Sequence, residues 1–192
     1  MRDICANSVL LVDDDPGIRA LLSRHLEKAG FQAQEAEDGI DGLAKLRDQL
    51  PKVIISDLAM PRMTGIEFMS VVRRRFPSIW IIAYSGSIQG EFPAEAKPDL
   101  CFEKSVEQIP EIVQAVHALA QKTPDRDDFP QVISTPVRTR PGEVGSFVLT
   151  CTDCLRAFKV TSAPEDKTVE RTAVCVHCAA RVPFIVEGSQ PA

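Results

Sequence analysis

A run of β-branched residues that stops at a single carboxylate constrains this chain most. Val53-Ile54-Ile55-Ser56 leads into Asp57, and Met60-Pro61 turns the chain shortly afterwards. An unbroken apolar run of this kind marks a strand buried on both faces, because parallel strands covered by helices lose the apolar/polar alternation of a half-exposed sheet. A carboxylate at the C-terminal end of such a strand opens into the crevice where doubly wound α/β folds place their chemistry. Taken alone, Asp57 reads equally well as a residue that starts a turn. Leu10-Leu11-Val12 is a second run, and it empties into Asp13-Asp14-Asp15-Pro16. If the two runs are neighbouring parallel strands, their acids meet at one edge of the sheet. Two carboxylates about 5 Å apart repel by about 3 kcal/mol at an effective dielectric near 20. A hard divalent cation with oxygen ligands and retained waters relieves that repulsion, and Mg²⁺ fits best. Two more apolar runs follow: Ile79 to Tyr84 enters Ser85-Gly86, and Leu100 to Glu103 enters Lys104.

Helical patterns fill the gaps between these strands. Asp15 as N-cap and Pro16 at the first helical position predict a helix that buries Ile18, Leu21, Leu22 and Leu26. After Gly30, Phe31 to Ala36 reads as a strand, and a second helix is expected from about Asp38 to Leu50, burying Ile40, Leu43, Leu46 and Leu50. Thr64 and Glu67 have the spacing of a capping box for a third helix that presents Ile66, Met69 and Val72 and ends in Arg73-Arg74-Arg75. The arginine triplet reads as a solvated helix end, since cations complement the dipole there. Ile88 to Asp99 is poor helix material, interrupted by Gly90, Pro93 and Pro98. Ser105 and Gln108 suggest a second capping box before a helix burying Ile109, Ile112, Val113, Val116 and Leu119.

Asp13-Asp14, Asp57 with Met60-Pro61-x-x-x-Gly65, Ser85-Gly86 and Lys104, in this order and register, resemble the receiver domain of two-component response regulators over residues 7 to 121. The resemblance implies a flavodoxin-like, doubly wound, five-stranded parallel sheet. It implies that Asp57 accepts a phosphoryl group from a sensor histidine kinase or phosphotransfer protein. Asp14 and Asp57 would ligate Mg²⁺, Asp13 would help through water, and the backbone carbonyl of Ala59 would complete the protein ligands. Lys104 would neutralise charge on the phosphoryl oxygens, and Ser85 would hydrogen-bond the bound group. The chain departs from the family pattern twice. Cys101 stands three residues before the lysine, where a switch Tyr or Phe is common, and Ser105 follows the lysine where proline is usual. With Phe102 one residue out of phase, the usual aromatic relay is in doubt, while the phosphorylation chemistry should survive.

Thr123 to Gly145 changes character. Pro124, Pro130, Pro136 and Pro141 are too closely spaced for a helix or a central strand, so the stretch reads as a semi-extended linker with some apolar residues (Phe129, Val132, Ile133) available to pack. Beyond it lie Cys151-x-x-Cys154 and Cys175-x-x-Cys178, with twenty residues between the pairs. This is a zinc spacing: each pair forms a knuckle that supplies two thiolates, and four thiolates close a tetrahedral site. Phe147 to Leu149, Phe158 to Thr161, Val169 to Val174 and Val182 to Val186 read as short strands, so the module resembles a small all-β zinc ribbon. About forty residues bury too little apolar surface to fold unaided, which is why a Zn²⁺ staple is expected. A redox dithiol is the lesser reading, since such pairs normally open a helix in a larger fold. His177 is expected to sit exposed on its knuckle, and Cys5 and Cys101 to be ordinary, partly buried thiols.

The expected organisation is therefore a receiver over 1–122, a linker over 123–145 and a zinc module over 146–188. Of 192 residues, 44% are apolar and the net charge is −5, which suits a globular protein and argues against non-specific binding to nucleic acid or acidic membranes. Residues 150–192 hold five Lys/Arg against five Asp/Glu, and four thiolates with one Zn²⁺ add a net −2, so the module lacks a basic footprint. Protein docking to an unidentified target is the better expectation for it. No stretch has the length of a transmembrane helix, the N-terminus lacks a signal-like core, and a cytoplasmic location is expected. No enzymatic activity is expected beyond Mg²⁺-dependent self-phosphorylation and dephosphorylation. Two other readings remain open: a receiver-like scaffold that signals without phosphorylation, and a transcriptional regulator whose ribbon contacts DNA or polymerase.

Overall fold

The structure, a computed structural model, describes residues 4–86, 91–122, 137–139, 146–161 and 171–186. The first two stretches alternate strands and helices: β1 (Ile4–Val12), α1 (Pro16–Lys28), β2 (Gln32–Ala36), α2 (Gly39–Asp48), β3 (Leu50–Ser56), α3 (Gly65–Arg75), β4 (Trp80–Ser85), β5 (Leu100–Glu103) and α4 (Ile109–Gln121). All five strands are parallel in the order β2-β1-β3-β4-β5, the doubly wound flavodoxin-like arrangement that the family resemblance implied. Helices cover both faces. Val9, Leu11, Val53, Ile55, Ile82 and Tyr84 face a core shared with Leu22, Leu26, Ile112 and Val116 of α1 and α4. Leu10, Ile54 and Ile81 face the other, with Leu43 and Leu46 of α2 and Phe68 and Val72 of α3.

Local chemistry explains most helix ends. The Asp15 carboxylate accepts from the N–H groups of Gly17 and Ile18, and Pro16 opens α1. Thr64 and Glu67 form both halves of a capping box on α3. Three expectations need correction. The second helix stops at Asp48, and Leu50 is the first residue of β3, because Pro51 disfavours the helical conformation in the residue before it. Ser105 makes no side-chain cap; a 3₁₀ turn over Val106–Gln108 intervenes, and α4 starts at Ile109, with Pro110 in its first turn. Arg73 is not a solvated helix end but only 5% exposed. Its guanidinium donates to the carbonyls of Lys97 and Ile79 and to the Asp99 carboxylate at 2.7 Å, and that carboxylate also accepts from the Ile81 N–H. This ionic tie anchors the segment between β4 and β5, where a 3₁₀ turn over Ala94–Ala96 is the helical structure among the described residues.

The cysteine-bearing stretch is all strand and turn. β7 (Ser146–Thr150) pairs antiparallel with β8 (Ala157–Thr161), and β10 (Arg181–Val186) pairs antiparallel with β9 (Arg171–Val174). The stretch expected as linker contributes β6 (Val137–Thr139), parallel to β10 and packed on α3. Phe129, Val132 and Ile133, expected to pack there, lie outside the described residues, as does the predicted turn around Pro164. The two halves touch: the Arg47 guanidinium of α2 donates to the Leu155 carbonyl at 3.1 Å, and the core beneath α2 and α3 runs on into Val137, Leu149, Leu155 and Phe184.

Candidate functional site

The strand ladder delivers the acids to one place. The N–H of Asp57 donates to the Val12 carbonyl at 2.8 Å and the N–H of Asp13 to the Ala36 carbonyl at 3.1 Å, so both residues continue the sheet just past its C-terminal edge. Asp13 and Asp57 are 3% and 5% exposed, whereas Asp14 faces solvent. Oxygens of all three lie within 4.8 Å of one another. The carboxylate of Asp57 is oriented by its own loop: Oδ1 accepts from the N–H groups of Leu58 at 2.6 Å and Ala59 at 3.3 Å. Gly65 closes the turn, its N–H on the Leu58 carbonyl at 3.0 Å. A Cβ at Gly65 would sit 2.0 Å from the Asp57 carbonyl oxygen, which explains why the Met-Pro-x-x-x-Gly stretch must end in glycine.

The other predicted residues arrive from β4 and β5. The N–H of Lys104 donates to the Ser85 carbonyl at 3.0 Å, extending that strand pair. The Lys104 ammonium bridges Asp57 Oδ2 at 2.7 Å and Asp13 Oδ2 at 2.8 Å. Burial alone would lower the Lys104 pKa, but the hydrogen bonds it donates to Asp13 and Asp57 outweigh it and hold the ammonium above its ordinary range. For Asp13 burial dominates and raises the pKa, despite the pull of Lys104 and of the Asp15 N–H. Ser85 is buried at the end of β4. Cys101, where the family commonly carries an aromatic switch, is exposed and not partly buried as expected, because it lies on the edge strand β5. Tyr84 went unremarked in the sequence as a core residue. Its hydroxyl donates to the Ser105 carbonyl at 2.9 Å, and the signal was a phenol within an otherwise apolar buried strand.

Two buried carboxylates and one exposed one, all oxygen donors at a solvent-facing edge, suit a hard cation such as Mg²⁺. The second cluster has the opposite chemistry. The Sγ atoms of Cys151 and Cys178 are 3.5 Å apart, and those of Cys154 and Cys175 are 3.7 Å apart. Four sulfurs about 2.3 Å from one ion stand about 3.8 Å from one another, so the spacing fits a tetrahedral metal; the four cysteines are not disulfide-bonded. The knuckles repeat one backbone pattern. Leu155 N–H returns to the Cys151 carbonyl and Ala179 N–H to the Cys175 carbonyl, and both Leu155 and Ala179 have positive φ, 55° and 60°. Burial pushes the Cys151 thiol up to about 12. Burial also acts on Cys175, but the N–H groups of His177 and Cys178 and the neighbouring thiols hold it below its ordinary value. His177 is exposed, as expected, with Nε2 3.1 Å from the Ala157 carbonyl.

Comparisons with known proteins agree with this geometry. Residues 9–117 match the response regulator receiver domain. The chain is 32% identical over 123 residues to the transcriptional regulatory protein GlrR of Escherichia coli, a match covering 62% of this chain and 28% of that protein. The chain thus spans little more than a quarter of that relative's length. Chemotaxis response regulator CheY4 of Vibrio cholerae superposes with a TM-score of 0.52 at 33% identity, covering 57% of this chain and 97% of that one. Response regulator TrrA of Thermotoga maritima, solved with Mg²⁺ and BeF, superposes with a TM-score of 0.55 at 28% identity over 59% of this chain and 98% of that one. With its acids, lysine and sheet order in place, the chain belongs to the response regulator receiver family through residues 9–117.

Proposed function

We propose that this chain is a response regulator of a two-component phosphorelay, in which Asp57 takes a phosphoryl group from a phosphohistidine on a sensor kinase or phosphotransfer protein. The observation that supports it most is the Lys104 ammonium held between the Asp13 and Asp57 carboxylates at 2.8 and 2.7 Å. In the transfer, Asp57 Oδ attacks phosphorus in line, the P–N bond breaks, and the histidine keeps the electron pair. Phosphoryl transfer asks the protein mainly for positioning and charge neutralisation. Lys104 exchanges a carboxylate oxygen for a phosphoryl oxygen, the Ser85 hydroxyl donates to another, and the Leu58 and Ala59 N–H groups fix the attacking carboxylate. Asp13, Asp14, Asp57 and the Ala59 carbonyl would hold Mg²⁺, which when bound supplies further positive charge to the phosphoryl oxygens.

In this reading residues 1–122 form the receiver, 123–145 connect, and 146–188 form a zinc ribbon on Cys151, Cys154, Cys175 and Cys178 that docks a protein target. The balance of five basic and five acidic side chains over 150–192 favours protein over nucleic acid as that target. No helix among the described residues is long and apolar enough to cross a membrane, which is compatible with a kinase partner in the cytoplasm.

The test is intact mass after incubation with acetyl phosphate and Mg²⁺, for the native chain and Asp57→Ala, with native mass read for zinc. One phosphoryl adduct on the native chain and none on the variant is the expected result. Folded, zinc-loaded protein with no adduct in either would replace the phospho-switch with a scaffold role.

A further inference from the structure

Lys104 can act only if its ammonium is aimed, and the aim of a lysine depends on the backbone that carries it. On its N-terminal side the strand pair holds it, through the Lys104 N–H on the Ser85 carbonyl. On its C-terminal side the chain leaves the sheet. Ser105 is still extended (φ −148°, ψ 151°), its hydroxyl makes no cap on the 3₁₀ turn that follows, and the turn's Val106 is 64% exposed. The chain after Lys104 therefore has no ladder to hold it. The Ser105 carbonyl is held from two sides: within the 3₁₀ turn by the Gln108 N–H at 3.3 Å, and from the neighbouring strand by the Tyr84 hydroxyl at the shorter 2.9 Å, the contact that ties this turn to the sheet.

Tyr84 is well built for that task. It is 1% exposed, packed in the core shared by β4, α1 and α4, and it immediately precedes Ser85. The hydroxyl lies on the ring's own rotation axis, so the staggered χ1 and the packed ring deliver it to one place. Burial raises its pKa above the ordinary phenol value, so the group remains a proton donor throughout the physiological range. The same strand end thus supplies Ser85 to one side of the site and a backbone clamp for Lys104 to the other.

We infer that Tyr84 is a positioning residue for Lys104: its hydroxyl holds the Ser105 carbonyl and so keeps the Lys104 ammonium on Asp57 and Asp13. The inference deepens the phospho-acceptor reading and rests on it for its catalytic consequence, though not for the geometry. Tyr84→Phe keeps the ring and the packing and deletes one hydrogen bond.

The experiment uses the full, zinc-loaded chain and two readouts. The first is the rate of phosphorylation by acetyl phosphate with saturating Mg²⁺, in the native chain, Tyr84→Phe, Lys104→Ala and the double variant. The second is the ¹⁵N–¹H signal of the Lys104 side-chain ammonium, which is sharp only when the ammonium is held, and which needs no phosphorylation. Tyr84→Phe should slow phosphorylation about five-fold, the rate equivalent of one lost hydrogen bond, and should have no further effect once Lys104 is alanine. The ammonium signal should broaden in Tyr84→Phe. A purely structural tyrosine would slow the Lys104→Ala background equally and leave the signal sharp, and that result would overturn the inference. So would a native rate and a native signal in Tyr84→Phe. If the native chain takes no phosphoryl group, the phospho-acceptor reading fails by itself, and the ammonium signal still decides for or against the Tyr84 clamp.

Discussion

The chain gathers negative donors twice, and the two clusters are opposites. At the edge of the parallel sheet, carboxylates from β1 and β3 meet a lysine from beyond β5, and one of the acids, Asp14, is open to solvent. In the cysteine stretch, four thiols close on each other at the spacing of a tetrahedral ion, and Cys151 and Cys175 are buried. The sheet buries two apolar cores, and Lys104 already offsets the acids. Among its described residues, the cysteine stretch has only short paired strands and a few large buried apolar side chains such as Phe147, Phe158 and Phe184. In the function proposed above, a metal in the first cluster would come and go, and a metal in the second would have to stay.

Removing the metals should break this comparison most visibly. With zinc stripped, or with Cys151→Ser, hydrogen-exchange protection across β7 to β10 should collapse, since structural zinc in small modules contributes on the order of 10 kcal/mol. Withdrawing Mg²⁺ should leave protection in β1, β3 and β4 within about 1.4 kcal/mol, the linkage expected at roughly ten times the dissociation constant. Equal losses in the two halves would show that the acidic site is structural too.

Arg73 is the parallel sheet's own staple, an ionic one. Arg73→Ala leaves the Asp99 carboxylate without its guanidinium and frees the Lys97 and Ile79 carbonyls. Urea unfolding should show a loss of about 4 kcal/mol in the receiver transition, as for other broken buried pairs. A loss under 1 kcal/mol would mean that the segment between β4 and β5 does not depend on that tie.

The smallest effect is expected where the halves meet. Arg47→Ala deletes the hydrogen bond to the Leu155 carbonyl, worth about 1 kcal/mol. Exchange protection of the Leu155 region should fall without change in β1 to β5. Loss of protection in β3 as well would mean that the two halves fold as one cooperative unit.

Much of this was legible in the residues. The apolar strands β1, β3 and β4, an Asp-Pro helix start and the Thr64–Glu67 box are local patterns that formed as read, and the paired cysteines came together in one cluster. The sheet arrangement followed from the family resemblance, and the acids met because strand ends in a parallel sheet all point one way. The misreadings share a cause. Arg73 looked like one of three solvated arginines because a charge run reports helix position, not what lies across from it; Asp99, 26 residues on, and the Ile79 and Lys97 carbonyls made it a core residue. Ser105 had the spacing of a cap, but Pro110 moved the helix start.

The sequence by itself determined which elements form and where reactive groups fall along them, because propensity, capping and metal-ligand spacing act over a few residues. Only the tertiary structure decided that Lys104 lies between Asp13 and Asp57, that Tyr84 reaches the Ser105 carbonyl, and that β6 and Leu155 pack against α2 and α3. Those contacts join residues far apart in the chain, and their energies exist only once the sheet has brought the partners within reach.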